Sequence, residues 1–284
     1  MRLFSFYTGS AIQIGLANQA QSTYVDLATS GLPQDMTALL QRPDWQARVQ
    51  AFASTAASKP LAGVRYAPLV PRPGKVICMG LNYMDHAAEG GHAKPEYPSF
   101  FLRATTSLAA HGAPLLRPKA SDKLDYEAEL ALVIGKRGKL LTQANALDVL
   151  AGYACFNDGS VRDYQRKTGQ WTIGKNFDET GSFGPLLVTP DELPAGAHGL
   201  RIQSRLNGQV MQDANTKDFL FNVVESLVII SECMTLEPGD VIITGTPAGV
   251  GYARKPPVWM APGDTIEIEI EKIGTLSNGI AQEA

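Results

Sequence analysis

The sequence is defined first by what it has little of. No stretch of its 284 residues approaches the ~18 uninterrupted apolar residues of a transmembrane helix, so no membrane partner is expected. It has no basic excess: 25 Lys and Arg stand against 28 Asp and Glu, for a formal net charge of −3, which leaves no electrostatic footprint for nucleic acid. Cysteine is scarce, with Cys78, Cys155 and Cys233 scattered among apolar neighbours. An odd, unpaired set of this kind reads as reduced, buried packing residues in a cytosolic protein. The amino terminus, MRLFSFYTGS, lacks the long apolar segment of a secretory signal, and a cytoplasmic location is expected. Internal repeats and low-complexity tracts are absent. With 44% hydrophobic and 19% charged residues, the chain has too much apolar content for a disordered protein.

What is present divides in two. Residues 1–70 read as a small α/β unit: LFSFY, AIQIGLAN and STYVDLA alternate as strands do, and helices are predicted over 32–41 and 44–58, ended by Lys59 and Pro60. The three prolines of PLVPRPG then form a stiff connector. Residues 71–284 form the larger domain, rich in strands, predicted at 99–103, 126–135, 153–157, 184–189, 201–206, 240–245 and 264–273. Helices are predicted from about Asn145, over 160–168 with Ser160 as N-cap, and over 216–234, where Leu220, Val223, Val224, Leu227 and Val228 fall on one stripe. Strands outnumber helices without alternating regularly with them, which indicates a mainly β, α+β fold rather than a doubly wound sheet.

Two glycine-rich segments nearly match phosphate-binding motifs. Gly169 to Asn176 has the GxxxxGK spacing, but Asn176 replaces the Ser or Thr that holds Mg²⁺, and FDETGSFGP cannot continue as a helix. The run from Gly245 to Gly251 follows a strand but does not match GxGxxG, and Pro247 opposes the required helix. A nucleotide site is rejected on both counts.

Two strands carry Glu-x-Glu, and the difference between them is informative. In TIEIEIEK, Glu267, Glu269 and Glu271 share one face and isoleucines the other, as in a half-buried strand with a solvated polar side. In YEAELALVIG, Glu127 and Glu129 share their face with Ala131 and Val133, while Tyr126, Ala128, Leu130, Leu132 and Ile134 form the other. Two neighbouring carboxylates at the end of a buried face repel and lose hydration unless a cation neutralises them. Asp158, ending the apolar run GYACFN, offers a third. Three carboxylates without His or Cys suit a hard cation such as Mg²⁺ or Mn²⁺; pairing with Lys or Arg at a strand end is the alternative. A further polar cluster, NYMDHAAEGG, places His86 and Glu89 three apart on one helical turn. The carboxylate can orient the imidazole as a general base, or the pair can be an ordinary surface contact. Gly90 and Gly91 allow a hinge after it.

The order of GLNYMDHAAE, PSFFLR, DYEAELALVIGKRG, FNDGSVRDYQ, QWTIGKNFDETGSFGP and GDVIITGTPAGVG resembles the fumarylacetoacetate hydrolase family over about residues 74–274. The resemblance implies a mixed β-sandwich roll, a homodimer, and one Mg²⁺ or Mn²⁺ per site, held by Glu127, Glu129 and Asp158. It implies a His86–Glu89 dyad on a lid, an active-site lysine at Lys175, and pocket contacts from Arg162, Gln165 and Thr246. Arg103 stands where many relatives have Lys, and Gly159 where many have a larger residue; both changes bear on substrate choice.

Family enzymes act on short 2-oxo acids. The expected reaction is hydrolysis of a C–C bond in a 2,4-dioxo acid of the acylpyruvate type. The metal would chelate the C1 carboxylate and C2 oxygen, and His86 would activate a water to attack C4, giving pyruvate and a second acid. Oxaloacetate decarboxylation, or hydratase, isomerase or lyase chemistry on a related 2-oxo acid, is the alternative.

Overall fold

The structure, a computed structural model, describes residues 1–89 and 95–284, with the side chains of residues 86–88 outside that description. β1 (Arg2–Thr8), β2 (Ala11–Ala17) and β3 (Thr23–Asp26) form an antiparallel meander. α1 (Met36–Leu40) and α2 (Trp45–Ala53) follow, and β4 (Ser58–Pro60) pairs with β3. Then come β5 (Val76–Gly80), α3 (Met84–Glu89), β6 (Ser99–Leu102), β7 (Leu108–Ala110), β8 (Leu115–Arg117), β9 (Leu124–Asp125) and β10 (Ala128–Ile134). β11 (Leu150–Asn157), β12 (Ser160–Val161), α4 (Arg162–Gln165), α5 (Thr172–Lys175) and β13 (Gly181–Val188) carry the chain past the site. β14 (Arg201–Leu206), β15 (Gln209–Asn215), α6 (Val223–Cys233), β16 (Val241–Ile243), β17 (Thr265–Ile270) and β18 (Gly274–Gln282) complete it.

The central sheet runs β4-β3-β2-β1-β13-β11-β10-β16-β5-β6, with β7 beside β13; a second sheet runs β15-β14-β17-β18-β8. Strands therefore dominate, in mixed sheets, as the alternation patterns predict. β10 is buried along its whole length, and its two faces meet different partners. Leu130, Leu132 and Ile134 join Ile202, Ile266, Ile268, Ile270 and Leu276 of the second sheet in one core. Ala131 and Val133 join Met36, Leu39, Leu40, Trp45 and Val49 of α1 and α2 in another. A strand covered on both faces must be apolar on both, which is why its pattern does not alternate. Glu129 falls on the same face as Ala131 and Val133, and Glu127 immediately precedes the first residue of β10.

Local capping sets the helix starts. Asp35 accepts from the Ala38 amide at 2.9 Å to begin α1. Asn222 and Glu225 form a reciprocal capping box at the start of α6, so that helix begins at Val223 rather than 216. Thr216–Asp218 is only a short 3₁₀ turn. The N-terminal meander is hydrogen-bonded into the central sheet through β1, with Arg2 opposite Val188 and Leu3 opposite Leu187.

Three local expectations are corrected. The helix predicted from Asn145 is a single 3₁₀ turn, Ala146–Val149, that gives way to β11. A short apolar run has no decisive period, and here pairing with both β10 and β13 settles it as a strand. Ser160 is not a helix N-cap: its hydroxyl donates to the Asp158 carbonyl at 2.8 Å, Ser160 and Val161 pair with β9, and α4 starts at Arg162. Cys78 and Cys155 are buried as expected, but Cys233 is exposed at the last turn of α6.

Candidate active site

Chain geometry brings four segments to one cavity of about 410 Å³. The start of β10 and the residue before it supply Glu129 and Glu127, the residue after β11 supplies Asp158, α4 supplies Arg162 and Gln165, and α5 supplies Lys175. Thr246 lines the same cavity, as do Arg166, Trp171 and Tyr252. The sequence motifs offered no signal for these last three beyond their nearness to others. One carboxylate oxygen from each of Glu127, Glu129 and Asp158 lies within 4.8 Å of the others, and all three residues are buried.

Of the two neutralisation schemes open to the sequence, pairing with basic side chains is present here. Lys175 Nζ stands 2.5 Å from Glu127 Oε2 and 2.5 Å from Asp158 Oδ2. Arg162 Nη2 is 2.6 Å from the other Glu127 oxygen, and its Nε pairs with the fully buried Asp125 at 2.8 Å. Among the described residues no Lys or Arg side chain forms an ion pair with Glu129; its Oε2 accepts from the Gly245 amide at 2.5 Å. Burial, then the charges of Asp158 and Glu127, push the Glu129 carboxyl well above the usual carboxylate range. Burial opposes charge on Lys175, but Asp158 and Glu127 outweigh it and raise its pKa above that of an ordinary lysine. The pairing with both carboxylates thus favours the ammonium form of Lys175.

Arg103 is a correction. It does not line the cavity but lies behind it, its side chain wholly buried. Nη1 donates to Asp158 Oδ1 at 2.6 Å and to the Gly159 carbonyl at 3.0 Å, Nε to Ser107 at 3.1 Å, and Nη2 to Thr180 at 3.2 Å. It holds Asp158 from behind the cavity. Gly159 is set by backbone packing: a Cβ there would lie 1.9 Å from the Thr180 carbonyl oxygen, so close approach to the start of β13 requires glycine.

The turn after β16, TGTPAGVGY, acts as a row of amide donors. Besides Gly245, the Gly249 amide donates to both Glu89 oxygens at 3.1 and 3.2 Å, and the Gly251 and Tyr252 amides bind Asp125 at 2.8 and 3.0 Å. Gly249 has φ +100°, and a Cβ would meet the Met211 carbonyl at 2.3 Å, so only glycine fits. Asp125, absent from the residues the sequence singled out, is the hinge of this arrangement, because it ties the turn to Arg162. His86 is on α3, but its side chain, with Gly90 and Gly91, lies outside the described residues. The false phosphate loop ends its four-residue helix at Lys175, and Asn176 is a C-cap whose side chain binds Leu102 and Thr172 carbonyls.

The donor set fits a hard divalent cation: three buried carboxylates, all oxygen, within coordinating distance of one another, with neither imidazole nor thiolate among them. The second Glu-x-Glu does not. Glu267 and Glu269 are exposed by 32% and 44%, and both pair with Arg205, at 3.0 and 2.6 Å.

Comparison with known proteins agrees with this geometry. The family model for the fumarylacetoacetate (FAA) hydrolase C-terminal domain matches residues 75–281. The chain is 38% identical over 272 residues to the mitochondrial oxaloacetate tautomerase Fahd2a of Rattus norvegicus, spanning 94% of this chain and 87% of that one. Among solved structures, fumarylacetoacetate hydrolase from Exiguobacterium antarcticum superposes with a TM-score of 0.87 at 34% identity, covering all of both chains. Maleylpyruvate hydrolase from Sphingobium sp. SYK-6, in complex with manganese(II) and pyruvate, superposes at 0.83 and 29% identity, again over all of both chains. The acidic triad, its lysine and these matches together place the chain in the fumarylacetoacetate hydrolase family of enzymes.

Proposed function

We propose that the chain is a divalent-metal-dependent enzyme that draws a short 2-oxo acid through its enol form, with keto–enol tautomerisation of oxaloacetate as the reaction its relatives favour. The observation that carries this is the buried triad of Glu127, Glu129 and Asp158 beside the Lys175 ammonium, in a cavity sized for a small acid. Glu127, Glu129 and Asp158 would hold Mg²⁺ or Mn²⁺, which when bound supplies Lewis-acid polarisation of the 2-oxo acid's oxygens.

Lys175, paired with Asp158 and Glu127, donates toward negative charge developing on the substrate oxygen. Arg103 and Arg162 keep Asp158 and Glu127 in place through that change. The proton transfer falls to His86, with Glu89 held by the Gly249 amide. In tautomerisation His86 takes a proton from C3 and one is returned at the C2 oxygen, so no atom leaves. Hydrolysis of acylpyruvates is the second reading, supported by the likeness to maleylpyruvate hydrolase. There the same base would take its proton from a water adding at C4.

The test supplies Mg²⁺ or Mn²⁺ and follows the enol absorbance of oxaloacetate in one arm. The other arm analyses products from 2,4-dioxopentanoate. Accelerated loss of enol without CO₂ supports tautomerisation, CO₂ plus pyruvate indicates decarboxylation, and acetate plus pyruvate indicates hydrolysis. Full activity in Glu127→Gln, in any arm, would overturn the metal-centred reading.

A further inference from the structure

The cavity has a second charged end. At the inner end, four buried carboxyl groups (Asp125, Glu127, Glu129, Asp158) face three buried cations (Arg103, Arg162, Lys175), a formal balance of one negative when all are ionised, as metal binding requires. A divalent cation reverses this to one positive, which matches a single substrate carboxylate. Arg162 is engaged by the protein at each nitrogen: its Nε binds Asp125, its Nη2 stands against Glu127, and its Nη1 donates to Gln165 Oε1 at 2.9 Å.

Two groups at the same cavity remain available. Arg166, one turn beyond Arg162, is exposed and lines the cavity. Its guanidinium carbon lies 4.3 Å from the centre of the Tyr252 ring, beside that of Arg162 at 4.5 Å. No carboxylate among the described residues pairs with it. Held against the ring, the guanidinium can present its N–H edge to a bidentate carboxylate. Gln165 is oriented by Arg162, which takes its Oε1 and leaves the Nε2 amide as a donor.

We infer that Arg166 and Gln165 Nε2 form the seat of a second substrate carboxylate, so that the enzyme selects 2-oxo dicarboxylic acids over 2-oxo monocarboxylic acids. This rests on the 2-oxo acid reading above and names the substrate class within it. Arg166 is a specificity-determining contact, remote from the bonds that change.

The Mn²⁺-loaded full chain is titrated calorimetrically with pyruvate and with two dicarboxylate probes of different reach, 2-oxoglutarate and 2-oxoadipate. At least one dicarboxylate should bind about tenfold or more tighter than pyruvate. Arg166→Gln should lower the ratio of the pyruvate Kd to the dicarboxylate Kd by about tenfold to a hundredfold, the range of one charge-assisted contact. Arg166→Lys should recover part of it, since it keeps the charge and loses the fork. An unchanged Tm shows that the variants are folded. If pyruvate binds but wild type shows no dicarboxylate preference, or Arg166→Gln weakens all probes equally, the second seat is overturned and the 2-oxo acid reading stands. If wild type binds none of the three, both fall.

Discussion

Arg103 and Lys175 are both buried cations on Asp158, yet they do different work. Lys175 faces the cavity and bridges Asp158 to Glu127, whereas Arg103 grips the opposite Asp158 oxygen from within the protein. Removing one partner of a buried pair leaves an uncompensated charge, which costs about 3–5 kcal/mol. Arg103→Met should therefore lower stability by about that amount in denaturant unfolding. It should also weaken Mn²⁺ binding by roughly 10–100-fold, as is typical when a metal ligand loses its orienting partner. Unaltered Mn²⁺ affinity in a folded Arg103→Met would show that Asp158 needs no such support. The cysteines give a second test at this scale. Burial pushes the Cys155 thiol up to about 12 and Cys78 well above its usual value, while Cys233 is exposed. Only a thiolate reacts, and the buried thiols stay protonated at pH 8. A thiol reagent should modify one cysteine in the native protein and three after denaturation, and Cys233→Ser should abolish the native reaction.

The two Glu-x-Glu strands separate at the scale of the element. β10 lies between β11 and β16, with cores on both faces, whereas β17 has one face buried and the other turned outward. The same dipeptide spacing yields a cation site in one strand and surface ion pairs with Arg205 in the other. Exposed pairs contribute ~0–1 kcal/mol. The double variant Glu267→Gln/Glu269→Gln should keep Mn²⁺ affinity and change stability by no more than about 1 kcal/mol. Glu127→Gln should lose most Mn²⁺ binding, measured by calorimetry on both proteins. Equal losses would mean that burial is not what distinguishes the strands. The start of α6 was not legible, because the apolar stripe alone suggested 216 and the Asn222–Glu225 capping box sets it at Val223, and Leu150–Asn157 was not legible as a strand along its first residues. An apolar octet has no solvent side to impose a period, so its partners in the sheet decide it.

At the scale of the whole molecule, the site is a long-range closure. Its contacts join Lys175 to Glu127 across 48 residues, Arg103 to Asp158 across 55 and Gly245 to Glu129 across 116. These segments meet only when the central sheet is complete, and β1 ties the N-terminal meander into that same sheet. Thermal unfolding should therefore show one cooperative transition, and ligation at the triad should stabilise the entire fold. At a hundredfold excess over Kd, Mn²⁺ should add about 2.7 kcal/mol, raising Tm by roughly 5–10 °C. EDTA should reverse the shift, and Glu129→Gln should diminish it. A Tm indifferent to Mn²⁺ would count against the triad as a metal site.

By itself the sequence determined which carboxylates are out of place. Side chains alternate across a strand, so a reader can tell that Glu127 and Glu129 share a face with Ala131 and Val133 while Glu267 and Glu269 share one with nothing apolar. It also determined the family, because TGTPAGVG, the Glu-x-Glu strand and the FNDGSVRD motif occur in order within one chain. Only the tertiary structure decided how charge is distributed among them: that Arg103 holds Asp158 from behind, that Asp125 engages Arg162, and that Arg166 is left open to the cavity. Periodicity is a local property that reports faces. Which cation meets which carboxylate depends on the register of strands far apart in the chain, and that register is set by the packing of two cores on either side of β10.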